Sequence, residues 1–199
     1  MSYKADAVYE SKALKKEVVS AFLSVFTERG LSETSVRDLS FSITQNSGGL
    51  YTYFKSKEEA IIACADEAAA RLEQGLIIPA LKETDDLDAL LTKTLNRADK
   101  YMPEMKLLVQ VSTTPKYSEM MKPTLNRLCE RYRVYTEKFA AKLNCKPEEL
   151  APYVYMCITA YTNYMTFGTK EYILPQLEIV KQAVEKMKNS KENTHEKDV

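Results

Sequence analysis

Histidine occurs once in this 199-residue chain, at His195, glycine five times and proline seven. One histidine in a polar tail leaves nothing from which to build a His-based zinc site or a Ser-His-Asp triad. So few glycines and prolines argue against β-sandwiches and barrels, which need turn residues at short, regular intervals. The four cysteines, Cys64, Cys129, Cys145 and Cys157, form no C-x-x-C pair, and each lies in a helical pattern. They read as reduced, small apolar residues, with no disulfide framework and no metal site. No phosphate loop or paired-carboxylate motif is present, so neither an enzyme nor a cofactor is expected. No run reaches the roughly 18 apolar residues of a membrane span. The start, MSYKADAVYESKALKK, lacks the apolar core of a signal peptide, so a cytoplasmic protein is expected. Formal net charge is zero, which excludes a histone-like polyelectrolyte but leaves room for a local basic patch. Residues 1–57 hold eight Lys/Arg against six Asp/Glu, an asymmetry too small to argue for nucleic acid by itself.

What is present is an ordinary globular balance, 45% hydrophobic and 28% charged, enough to bury a core. Apolar residues recur at helical spacing throughout, which predicts an all-α chain of about nine helices. The first runs over 8–29, with Leu14, Val18, Ala21, Phe22, Val25 and Phe26 as its buried stripe and Gly30 as its C′ residue. Ser35-Val36-Arg37-Asp38 is a capping-box pattern opening a short helix to about residue 42. Asn46 reads as the N-cap of a third helix over 47–54. Ser56-Lys57-Glu58-Glu59 is a second capping box, opening a helix that Pro79 is expected to stop. Further helices are predicted at 86–100, 104–112, 118–143, 147–168 and 172–189, followed by a polar tail over 191–199.

Two short helices joined by a tight turn after a longer one suggest a helix-turn-helix at about 34–54, whose second arm enters the DNA major groove. The stretch from Val18 to Ile62 goes further, because it resembles the N-terminal domain of the tetracycline-repressor (TetR) family. Phe26, Gly30, Thr34, Val36, Asp38, Leu39, Gly48, Leu50, Tyr51, Tyr53, Phe54, Lys57 and Glu58 fall in register with that family's signature. The run L-Y-T-Y-F-K-S-K-E-E is its most specific part. The resemblance implies a DNA-binding domain over 1–56 and a larger helical ligand-binding and dimerisation domain over 57–190. It implies that Ser35 and Arg37 meet phosphates or a base edge, and that Gln45, Asn46, Ser47, Gly49 and Thr52 read bases. Tyr51, Lys55 and Lys57 would then hold phosphates, in the usual division between positioning and specifying contacts. The chain departs from the pattern at Thr44 and Gln45, where the family has glycine and an apolar residue, and at Phe41, where it often has a charge. The expected function is a ligand-responsive transcriptional regulator, a repressor acting as a homodimer on a pseudo-palindromic double-stranded operator. The alternative is a small-molecule-binding dimer whose specific DNA binding has weakened or lapsed.

In the C-terminal part, tyrosine and methionine are frequent. Core packing accounts for most of them, while a share would wall a cavity for a small hydrophobic or aromatic ligand. The candidate lining is Tyr101, Met105, Leu108, Met121, Tyr132, Tyr135, Tyr161, Tyr164 and Met165, with Arg97, Arg133 and Asn163 as candidate polar anchors. The helix over 147–168 is apolar on more than one side, so one side awaits a partner. By the resemblance, the last two long helices form a four-helix seam with a second copy. Val154, Ile158, Ile173, Leu177, Val180 and Val184 are its candidate residues.

Overall fold

A computed structural model describes residues 3–43, 49–84 and 86–195. The fold is all-α, as predicted, and among the described residues there is no strand. The helices are α1 (Tyr3–Arg29), α2 (Val36–Ser42), α3 (Leu50–Tyr53), α4 (Lys57–Leu72), α5 (Ile78–Glu83), α6 (Leu87–Ala98), α7 (Met102–Thr113), α8 (Pro115–Lys142), α9 (Pro147–Phe167) and α10 (Lys170–His195). A π-helical turn spans Glu73–Ile77 and a 3-10 turn spans Asp99–Tyr101. No described helix is long and apolar enough to cross a membrane. Among the described residues, no group of three or more His, Cys, Asp or Glu could hold a metal ion.

Two compact bodies make up the chain, and neither is continuous in sequence. The first comprises the chain to Arg71 together with Pro103–Thr124; the second comprises Leu72–Met102 and the chain from Leu125 onward. The division expected after residue 56 therefore does not coincide with either body.

Local chemistry explains the elements of the first body. Gly30 takes φ +84° and its N–H bonds the Phe26 carbonyl at 2.9 Å, closing α1 in the region that glycine enters without steric cost. Val18, Phe22, Leu23 and Phe26 point inward from α1, Leu39 from α2, Leu50 from α3 and Ile61 from α4, all buried. Phe54 joins them, its ring centroid 5.9 Å from that of Phe22.

The second body is built on α9, α10 and the C-terminal part of α8. Phe139, Ala140, Leu143, Leu150, Val180 and Val184 form its buried cluster. Gly168, at φ +77°, ends α9 with its N–H on the Tyr164 carbonyl. Two helix ends differ from expectation. Pro79 does not stop its helix, because it sits in the first turn of α5, where its missing N–H is not needed, and the π turn before it absorbs the change of register. Likewise α10 continues past residue 189 to His195.

Candidate nucleic-acid interface

The geometry of α2 follows from its cap. Ser35 Oγ accepts the Asp38 N–H at 3.1 Å, while Asp38 Oδ2 accepts the Ser35 N–H at 2.8 Å and its hydroxyl at 2.6 Å. The Arg29 guanidinium completes the arrangement at 2.6 Å from Asp38 Oδ1. The Ser35 hydroxyl, then its backbone N–H and the Arg29 charge, hold the Asp38 carboxyl below its ordinary range. The Ser35 hydroxyl, expected on a phosphate, is already committed as both donor and acceptor.

Arg37 stands exposed on α2, its guanidinium 5.3 Å from the centroid of the Phe41 ring. Phe41 is itself 73% exposed. The third helix is described from its N-cap Gly49 onward. A Cβ on Gly49 would lie 3.4 Å from Ser40 Oγ, an ordinary van der Waals contact, so this residue sits beside α2. Tyr51 and Thr52 are exposed on α3, and Lys55 is exposed just past its end. Gln45, Asn46 and Ser47, with the departing Thr44, lie outside the described residues.

Lys57 is used differently from the phosphate role expected of it. Its ammonium donates to the Thr34 carbonyl and, at 3.5 Å, to the Leu31 carbonyl. It therefore satisfies carbonyls of the α1–α2 connection that no helix covers, a positional role inside the domain. Among the described candidates, Arg37, Tyr51, Thr52 and Lys55 remain as exposed groups able to meet DNA.

The candidate ligand residues divide between the two bodies. In the first, Leu108 and Met121 are buried and Met105 is half-buried. In the second, Met165 is buried and three of the tyrosine hydroxyls are taken up by the protein. Tyr161 donates to the Leu91 carbonyl at 2.6 Å, Tyr164 donates to Asp99, and Tyr135 donates to Glu73. A Cβ on Gly75 would collide with the Tyr101 ring, so Tyr101 packs directly on the backbone of the π turn. Burial, with Glu73 nearby, pushes the Tyr132 and Tyr135 phenols up to about 12; both stay neutral at physiological pH. Glu73, which the sequence reading passed over, is buried in the π turn and also accepts from Arg131.

The expected anchors are occupied or exposed: Arg97 pairs with Glu83 at 2.6 Å, Arg133 pairs with Glu130 and Glu137, and Asn163 faces solvent. A groove of about 450 Å³ is lined by Tyr132, Thr136, Pro147, Val154, Tyr155 and Ile158, among others. It takes in Tyr132 from the candidate lining and Val154 and Ile158 from the candidate seam.

The seam itself needs correction. Ile173, Leu177, Val180 and Val184 are all buried within the chain, where they form the inward stripe of α10 against its own body. The apolar residues left uncovered on α9 and α10 are different ones: Tyr155 at 72% and Ile179 at 57% exposure, with Phe167, Tyr172 and Leu174.

Comparison with known proteins bears on the first body. Residues 18–64, from α1 into α4, match the model of the bacterial regulatory proteins of the tetR family. No curated protein and no solved structure matches the chain.

Proposed function

We propose that this chain, whose residues 18–64 match the tetR-family model, is a DNA-binding transcriptional regulator that acts as a homodimeric repressor. It reads a pseudo-palindromic operator and leaves it when a small hydrophobic or aromatic inducer binds. The observation that carries the reading is the match over 18–64 to a domain in which α1, α2 and α4 enclose one core while Arg37, Tyr51, Thr52 and Lys55 stay exposed. Basic and hydroxyl groups on α2 and α3 suit the backbone contacts that set a helix-turn-helix on its groove.

Dimerisation is supported by the uncovered apolar side chains of α9 and α10. Tyr155, Phe167, Tyr172, Leu174 and Ile179 are large apolar side chains left exposed, the kind of residue that a contact with a second copy would cover. In a dimer, two reading units would sit roughly 34–36 Å apart, or a multiple of it, on one face of the duplex. Inducer release follows from population shift: a ligand that fits better when the units are mis-spaced draws protein away from the DNA-competent state, by no more than its differential affinity. A cytoplasmic location, with the DNA, goes with this reading.

The test is selection of bound fragments from a randomised duplex library by the purified chain, at low and at near-physiological salt. A two-fold symmetric site that survives the salt increase supports specific dimeric readout. Recovery at low salt alone, with no consensus, would mean phosphate attraction only and would favour a ligand-binding dimer whose DNA reading has lapsed.

A further inference from the structure

The exposed ring of Phe41 has no place in the core. Leu39, two residues earlier on α2, fills the buried position, and Phe41 lies open to solvent with Arg37 laid over it. The two are an i, i+4 pair, which brings side chains together on one side of a helix. We propose that Phe41 is a positioning residue for DNA binding: its ring holds the Arg37 guanidinium ready for a backbone phosphate of the operator.

Three observations support this. First, Arg37 forms no ion pair among the described residues; the neighbouring carboxylate, Asp38, is taken by Arg29 and Ser35. Second, a ring beneath a guanidinium uses its π face, while its N–H donors lie in the plane and stay available to phosphate oxygens in a bidentate fork. Third, the first helix of a helix-turn-helix crosses the DNA backbone, so the ligand that α2 meets there is phosphate. An arginine already held in one arrangement loses less freedom on binding than a free one. A charge at position 41, by contrast, would either pair with Arg37 or repel it.

This inference rests on the DNA-binding reading above, and the experiment separates the two. A fluorescein-labelled duplex carrying the selected site is titrated with wild type, Phe41→Ala, Phe41→Trp, Arg37→Ala and the Arg37→Ala/Phe41→Ala double variant over a series of salt concentrations. Arg37→Ala should lower the slope of log K against log salt by about 0.9 for each protomer on the duplex. Phe41→Ala should weaken binding roughly two- to fivefold for each protomer on the duplex, with the melting temperature unchanged because the ring is exposed. Phe41→Trp should restore wild-type affinity. In the Arg37→Ala background the same Phe41→Ala change should have no further effect. An equal loss in both backgrounds would overturn the positioning role, since the ring would then touch DNA or a partner in its own right; so would wild-type affinity in Phe41→Ala. Failure of the wild type to bind any duplex overturns the DNA-binding reading, and this inference with it.

Discussion

Replacing Arg131 by alanine leaves the Glu73 carboxylate with one fewer donor in a place water barely reaches. The asymmetry of the pair sets the size of the effect: 5% of the Glu73 side chain is exposed, against 57% for Arg131. Breaking a fully buried ion pair by removing one partner costs about 3–5 kcal/mol. Here Tyr135 still donates to the carboxylate and the arginine side is open to solvent, so the expected loss for Arg131→Ala is about 2 kcal/mol. In a domain of this size that lowers the melting temperature by roughly 4–8 °C. Glu73→Gln should cost less, about 1 kcal/mol, because the amide still accepts from Tyr135 and the freed Arg131 returns to water. The double variant is the decisive one. With no buried charge left to strand, it should be more stable than Arg131→Ala alone, close to Glu73→Gln. Thermal melts followed by circular dichroism on the four proteins close the cycle. A double variant as unstable as the sum of the singles would refute the argument that the cost lies in the stranded carboxylate.

Other expectations follow from the same geometry. Ile179→Asp, on the exposed side of α10, should shift the mass in solution from dimer to monomer with helical content intact, whereas Val180→Asp, one residue on and buried, should lower the melting temperature steeply; equal effects from both would sink the proposed seam. The Glu58 carboxyl is held down to about 2, first by its hydrogen bond to Lys116, so the stabilisation it supplies is present above pH 4.5 and lost as pH falls through about 2. Acid unfolding curves of wild type and Glu58→Gln should therefore converge at the low end of that window; parallel curves would deny the pair any role. A thiol reagent should modify exposed Cys129 first and the half-buried Cys145 and Cys157 more slowly. It should spare Cys64 until the protein unfolds, since burial pushes that thiol up and shields it; four thiols reacting at one rate would contradict the packing. Ser35→Ala removes the cap of α2 at a cost of about 1 kcal/mol, measurable by urea unfolding.

Local grammar was legible in the chain where the determinants are close in sequence. The Ser35–Asp38 box and the C′ glycine at Gly30 involve residues within four or so positions of one another and appear as the spacing requires; the stripe of α1 is buried at Val18, Phe22 and Phe26, but Leu14 at its start is 40% exposed. Pro79 misled because proline is compatible with a first helical turn, and nothing in the spacing announces the π turn that moves the register just before it. Which candidate DNA side chains are left free was not legible in the spacing. Lys57 and Ser35 are spent on the domain's own backbone and cap. For Lys57, the partners lie 23 and 26 residues away, beyond the reach of any local pattern.

The error at the seam has a more general cause. Helix α10 carries apolar residues on two sides, Ile173, Leu177, Val180 and Val184 on one and Tyr172 and Ile179 on another. Periodicity locates both stripes, because a repeat of 3.6 places residues on a face. It does not tell which face the chain's own helices cover and which is left for a second copy, since both burials demand the same chemistry. Aliphatic Val and Ile in an unbroken i, i+4, i+7 run went to the intrachain core, where close packing rewards branched shapes. The outer side kept Tyr172, Pro175 and the isolated aliphatics Leu174 and Ile179. The same ambiguity governs the tyrosines taken as cavity walls. A phenol suits an apolar pocket and a packed core equally, and only the partner of its hydroxyl separates the two. Tyr161 and Tyr164 found theirs on Leu91 and Asp99, which makes them ties within one body, whereas Tyr132 lines the groove beside α9.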